Sequence, residues 1–131
     1  MNFNSKGGFM KTRLAFAILT LLLTGLAGTA EAGMMNVSCT DSIKSLNKTA
    51  TMDFSVVCPV NCTQGSVWGT DLYTTDSAIC VAAVHANIIK EAGGPVRVKL
   101  LPGQHTYTGT FRNGVTTQNW GHYDQSFKVS K

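Results

Sequence analysis

The 131-residue sequence has no internal repeat, no low-complexity tract and no dense run of basic side chains. The missing repeat excludes stacked-repeat architectures. Over residues 33–131, eight Lys and Arg stand against six Asp and Glu, a net charge of +2 where the whole chain carries +4. That balance is too thin for the dense basic face that nucleic-acid binding needs, and the sequence pI of 9.0 is raised by the basic N-terminus. No apolar run reaches the ~20 residues that span a bilayer; the longest apolar core, Leu14 to Leu23, is ten residues. No cysteine follows Leu26-Ala27-Gly28 and no paired arginines precede the apolar run, which argues against lipid anchoring and leaves the general export route. No nucleophile motif and no metal-spaced histidine pair occurs, so no metal or other cofactor is expected.

What is present begins with a leader pattern. Met10-Lys11-Thr12-Arg13 is basic, Leu14 to Leu26 is apolar, and Ala30-x-Ala32 places small residues where a signal peptidase cuts. Residues 1–32 therefore read as a signal peptide with its start at Met10, and residues 33–131 as one domain. The short, alanine-cleaved leader is bacterial in style and implies a secreted or periplasmic protein. In a eukaryotic secretory path, Asn36, Asn47 and Asn61 would be glycosylation acceptors.

All four cysteines, Cys39, Cys58, Cys62 and Cys80, lie after the leader. An even number in a small exported domain reads as two disulfides. Three pairings are possible, and a Cys58–Cys62 bridge ranks last because it would close a very tight loop around Pro59. Pairing Cys39 with Cys58 and Cys62 with Cys80 would close two loops of about 20 residues, each contributing roughly 3 kcal/mol in the chain-entropy model. Cys58-x-x-x-Cys62 is a permissible zinc spacing, but an oxidising compartment disfavours free thiolates. "CPVNC" is one residue longer than the C-x-x-C of redox-active dithiols.

Short β-type runs surround one helical stretch. Strands are expected at Asp53 to Val57, Val67 to Tyr73, Val96 to Leu100, Thr106 to Arg112, Val115 to Thr117 and Ser126 to Ser130. Pro102-Gly103 reads as a turn, and Asn113-Gly114 as a type I′ hairpin. Thr74, Thr75, Asp76 and Ser77 are N-cap candidates for a helix over about 76–91, which Gly93-Gly94-Pro95 would end. Ile79, Ala82, Ala83, Ala86 and Lys90 fall on one side of that helix, and Val81, Ile88 and Ile89 on the other. A helix apolar all round is buried all round, so the strands must wrap it. The fold class is α+β.

Cys80 and His85 lie inside this apolar helix and raise the question of a nucleophile and its base. Five residues apart, they point about 140° away from one another, outside the hydrogen-bond reach such a pair needs. His85 reads instead as a buried neutral histidine bonded to a backbone group, in a core with Ile79, Ala82, Ala83 and Ile89.

With these residues in place, the chain resembles the LCCL domain family. The resemblance is carried by Cys58-Pro59-x-x-Cys62, by "VWGTDLYTTDSAICVAAVHANII" from Val67 to Ile89 and by "GGPVRVKLLPG" from Gly93 to Gly103. "RNGV" at Arg112 to Val115 and the closing "SFKVSK" match as well, and Cys39 sits where the family has its first cysteine. The resemblance implies a central helix wrapped by two β-sheets, the pairs Cys39–Cys58 and Cys62–Cys80, and an extracellular module without catalytic residues. Multidomain family members are linked to lipopolysaccharide, extracellular matrix and host defence. This chain reads as a leader plus a single module, so their ligand does not transfer directly.

Three functional readings follow. The first is a secreted, non-catalytic binding module. Arg97 and Lys99 share a strand face, Arg112 or Lys128 would join them, and Trp68, Trp120 or Tyr123 would stack on sugar rings. The partner would be an anionic glycolipid, a polysaccharide or an extracellular protein. The second is a small exported hydrolase built on His122 and Asp124, with His105 as a further acid–base candidate. The third is a structural or host-directed interaction protein acting through shape.

Overall fold

A computed structural model describes residues 33–131; the expected leader, residues 1–32, lies outside the described residues. Strand β1 (Met35–Asn36) runs parallel to β2 (Asp53–Cys58). β3 (Gly69–Thr70) and β4 (Leu72–Thr74) lead into helix α1 (Ile79–His85). Then come β5 (Gly94–Gln104), the pair β6 (Phe111–Arg112) and β7 (Val115–Thr116), and β8 (Tyr123–Ser130). The main sheet has the order β1-β2-β5-β8-β4-β3, and β6–β7 form a separate two-stranded sheet. This is the α+β arrangement expected, one helix between two sheets.

Side-chain alternation builds the core. Val56↔Val96, Val98↔Val129 and Leu100↔Phe127 are cross-strand partners whose inward side chains line one face of the main sheet. Tyr73 joins Phe127 on that face from β4. Every residue of α1 is buried, with the main sheet on one side and Ile43 and Val115 closing others. A helix of seven residues has no stability of its own in water; burial and covalent ties hold it.

The helix is shorter than the 76–91 expected, and its ends explain why. Thr74 and Ser77 spend their hydroxyls on the corner before it. Ser77 Oγ accepts the Trp68 N–H at 3.0 Å, and Thr74 Oγ1 donates to Asp76 Oδ1 at 2.6 Å. The N-cap is Ala78, and the Ile79 N–H is satisfied by the Asp41 carbonyl at 2.9 Å. At the other end Asn87 takes left-handed geometry, with φ 65. The Asn87 N–H bonds the Val84 carbonyl and the Ile88 N–H bonds the Ala83 carbonyl. That is a Schellman motif with asparagine in the place glycine usually takes, six residues before the expected stop at Gly93.

The disulfides also differ from the expected Cys39–Cys58 and Cys62–Cys80. The bridges are Cys39–Cys62 and Cys58–Cys80, with Cα–Cα distances of 5.1 and 5.6 Å. Alternation along β2 turns Val56 and Cys58 inward, and Cys58 therefore meets Cys80 on the buried helix. The parallel register of β1 on β2, Asn36↔Val57, carries Cys39 past the end of β2. Its sulfur lies 3.8 Å from the Val60 carbonyl oxygen, beside the turn that delivers Cys62. Loop length has no power to separate the two pairings, because loops of 22–23 rather than about 20 residues change closure entropy by only ~0.2 kcal/mol.

Two strand expectations and one turn expectation are redrawn. Val67 to Tyr73 is no single strand: it folds back at Asp71, φ 69, so that Gly69 pairs with Tyr73. Of Thr106 to Arg112, only Phe111–Arg112 is strand. Pro102-Gly103 is no turn, because β5 runs through it and Pro102 faces Gln125 of β8. The Leu100 N–H bonds Met52, just before β2 begins. Two residues on, the side of Pro102 that lacks an N–H faces a neighbour that has already ended, so the ladder loses nothing. Gly103 fits there because a Cβ would collide with the Tyr123 carbonyl. The Asn113-Gly114 hairpin forms with positive φ at both residues, 50 and 80.

Candidate functional site

The outer face of the main sheet carries the cationic residues singled out in the sequence. Lys99 of β5 and Lys128 of β8 are directly opposite each other, and Arg97, two residues along, faces Ser130. All three cationic side chains are exposed. On the β2 side Asp53 is opposite Lys99 and Ser55 opposite Arg97, so the rows read Asp–Lys–Lys and Ser–Arg–Ser. The ion pair among the described residues lies elsewhere, between Arg112 and Asp71 at 3.0 Å. Like charges directly opposite on a sheet destabilise it modestly, and here one carboxylate flanks three cations.

The other residues expected at this site are placed apart. Arg112 belongs to the small hairpin, not the main sheet, and its guanidinium is held by Asp71. Trp68 and Trp120 pack edge to face with centroids 6.1 Å apart, and Trp120 remains 51% exposed. The Tyr123 hydroxyl accepts a hydrogen bond from Lys44 Nζ at 3.0 Å, and that bond raises the Lys44 pKa above its ordinary value. Tyr123 lines a shallow polar cleft with Lys44, Thr75, His122 and Asp124. The geometry thus joins Lys128, but not Arg112 or the aromatics, to Arg97 and Lys99. The partner of the His122 ring is His105, with centroids 5.8 Å apart.

His85 occupies the best-defined polar constellation, deep in the core. Its Nδ1 lies 2.9 Å from Tyr73 Oη and its Nε2 3.0 Å from Thr110 Oγ1. Thr110 Oγ1 is 2.7 Å from Thr70 Oγ1, which donates to the Thr108 carbonyl at 2.8 Å. Only one direction satisfies every group. Tyr73 donates to Nδ1, Nε2–H donates to Thr110, and Thr110 donates to Thr70. The imidazole is then neutral, and burial lowers its pKa, as burial raises that of Tyr73 to about 12. The partners are side-chain hydroxyls rather than the backbone group expected. The arrangement has the outline of a hydroxyl–imidazole pair, but the Thr110 proton is committed to Thr70 and a neutral phenol stands where a carboxylate would orient the base. Its physical effect is to tie strand, helix and hairpin together. The Asn113 side chain adds a bond to the His85 carbonyl at 2.9 Å. Tyr73, Thr70, Thr110 and Asn113 had no spacing signal toward His85 in the sequence, because they come from two segments, residues 70–73 and 110–113, that lie 12 and 25 or more residues away from it.

Comparison with known proteins follows the same outline. A family model described as the LCCL domain matches residues 37–127. Human cochlin is 36% identical over 120 residues, covering 90% of this chain and 21% of cochlin. Human vitrin is 30% identical over 128 residues, covering 92% of the chain and 19% of vitrin. The human protein named cysteine-rich secretory protein LCCL domain-containing 2 is 34% identical over 101 residues, covering 70% of the chain and 20% of that protein. The chain thus spans about a fifth of the length of these relatives. All three are human and lend no support to a bacterial source.

Proposed function

The chain belongs to the LCCL domain family, and on that premise we propose that it is a secreted, non-catalytic binding module whose cationic strand face takes an anionic glycolipid or polysaccharide. The observation that carries this reading is the exposed trio Arg97, Lys99 and Lys128. Lys99 and Lys128 sit as direct cross-strand partners at a cost to the sheet, and an anionic ligand would turn that repulsion into attraction. Cross-strand and i, i+2 spacings of about 5–7 Å suit phosphates, sulfates or carboxylates on successive sugars. Export is supported by the two disulfides and by the secretory character in the name of one relative. A non-catalytic role is supported by the closed hydrogen-bond chain around His85.

The test is binding of the oxidised protein to an anionic polysaccharide and to anionic glycolipid vesicles, with and without Arg97→Ala/Lys99→Ala/Lys128→Ala. Loss of salt-sensitive binding in the triple variant, with folding retained, is the expected result. Unchanged binding in that variant, or none in the wild type, would sink the reading.

A further inference from the structure

The β5–β8 ladder extends beyond its two strands and brings together two histidines that lie far apart in sequence. Its register runs from Arg97↔Ser130 to Gln104↔Tyr123. Tyr107 and Trp120 continue the same register, exchanging both backbone hydrogen bonds at 2.8 and 3.0 Å. Between these two fixed pairs the only opposite position for His105 is His122. Their rings do meet, with centroids 5.8 Å apart and planes inclined by 42°. Both side chains are exposed, and neither ring takes part in a hydrogen bond with the described residues.

The surrounding structure holds this pair in place. The Gln104 N–H is bound by Tyr107 Oη, which also bonds Ser126 Oγ at 2.6 Å, while Lys44 holds the Tyr123 phenol. The backbone on both sides of the histidine pair is thus hydrogen-bonded, at Gln104↔Tyr123 and at Tyr107↔Trp120. From these observations we propose that His105 and His122 form a two-histidine site for a borderline divalent metal ion of the zinc, nickel or copper class. Imidazole is a ligand well suited to these ions. With zinc–nitrogen bonds of about 2.0–2.1 Å, two imidazoles on one tetrahedral ion have centroids roughly 5 Å apart. The present separation of 5.8 Å is within about 1 Å of that value. No group of three His, Cys, Asp or Glu side chains stands together among the described residues. Water or a ligand from outside the chain fills the remaining positions, and the site is open rather than a closed structural one.

Zinc ions titrated into the oxidised full-length protein, followed by calorimetry and by the histidine ring signals in NMR, test the proposal. One ion per chain is expected, with His105 and His122 signals shifting together and His85 unmoved. Binding should fall by more than about tenfold in His105→Ala and in His122→Ala, with far-UV circular dichroism unchanged, since both side chains are exposed. Magnesium, a hard ion that prefers oxygen ligands, should shift neither ring. Absence of saturable zinc binding, or an affinity in either alanine variant equal to that of the unaltered protein, would overturn it.

Discussion

The two faces of the β5–β8 ladder are made by alternate residues of the same strands, yet they answer to different physics. Inward, Val98, Leu100 and Phe127 are buried in one core with the residues of α1. Outward, Arg97, Lys99 and Lys128 stand in solvent with like charges facing each other. The inner face is fully committed to packing, and each group there has a defined neighbour. The outer face is uncommitted, which leaves it free to bind. Strength and availability are separated by one residue of register, because a strand turns successive side chains to opposite sides.

Truncation on the inner face should give the largest effect. Phe127→Ala removes a fully buried ring beside Tyr73 and Leu100 and should cost ~3–5 kcal/mol in denaturant unfolding. Next comes the covalent tie from sheet to helix. Replacing both Cys58 and Cys80 by alanine should cost ~2–5 kcal/mol, read as a fall in Tm. Non-reducing peptide mapping of the unaltered protein should recover Cys39 with Cys62 and Cys58 with Cys80.

A smaller effect is expected from pH. Burial holds the His85 pKa below its ordinary value, so the unfolded chain takes up the proton first. Stability contributed by the neutral imidazole is present above about pH 6.5 and is lost as pH falls from there toward the folded pKa. The ionisable groups facing His85 are Tyr73, Asp71 and Arg112. His85→Gln should flatten this slope while lowering stability at pH 8 by ~1–3 kcal/mol through the broken hydrogen-bond chain; an unchanged slope between pH 8 and pH 5 would contradict the neutral, buried assignment. Smallest of all, Lys99→Ala on the outer face should change stability by no more than ~0.5 kcal/mol, with relief of the Lys128 repulsion favouring a slight gain. A loss comparable to that of Phe127→Ala would break the contrast between the faces.

The elements readable in the sequence are those with strong local chemistry. The alternation of Val96 to Leu100 and the Asn113-Gly114 turn appear in the structure where they were expected. The apolar circumference of the helix correctly implied burial on all sides. Local chemistry misled where a partner segment supplied the deciding contact. Ser77 looked like a cap but bonds Trp68, Asn87 rather than Gly93 stops the helix, and Pro102 looked like a turn but sits where β5 has lost a neighbour. The candidate site was legible in part: Arg97 and Lys99 share a face by period alone, whereas Lys128 joins them through strand pairing and Arg112 leaves with the hairpin.

By itself the sequence determined the composition of the core, the presence of one buried helix among strands and the availability of four cysteines, because hydrophobicity and backbone preference are properties of short segments. Tertiary structure alone decided which cysteines meet, which hydroxyls satisfy His85, which cations share a surface and that His105 faces His122. Each of these depends on strand register, and register is set by packing a whole face against the helix, a condition that no single segment can express.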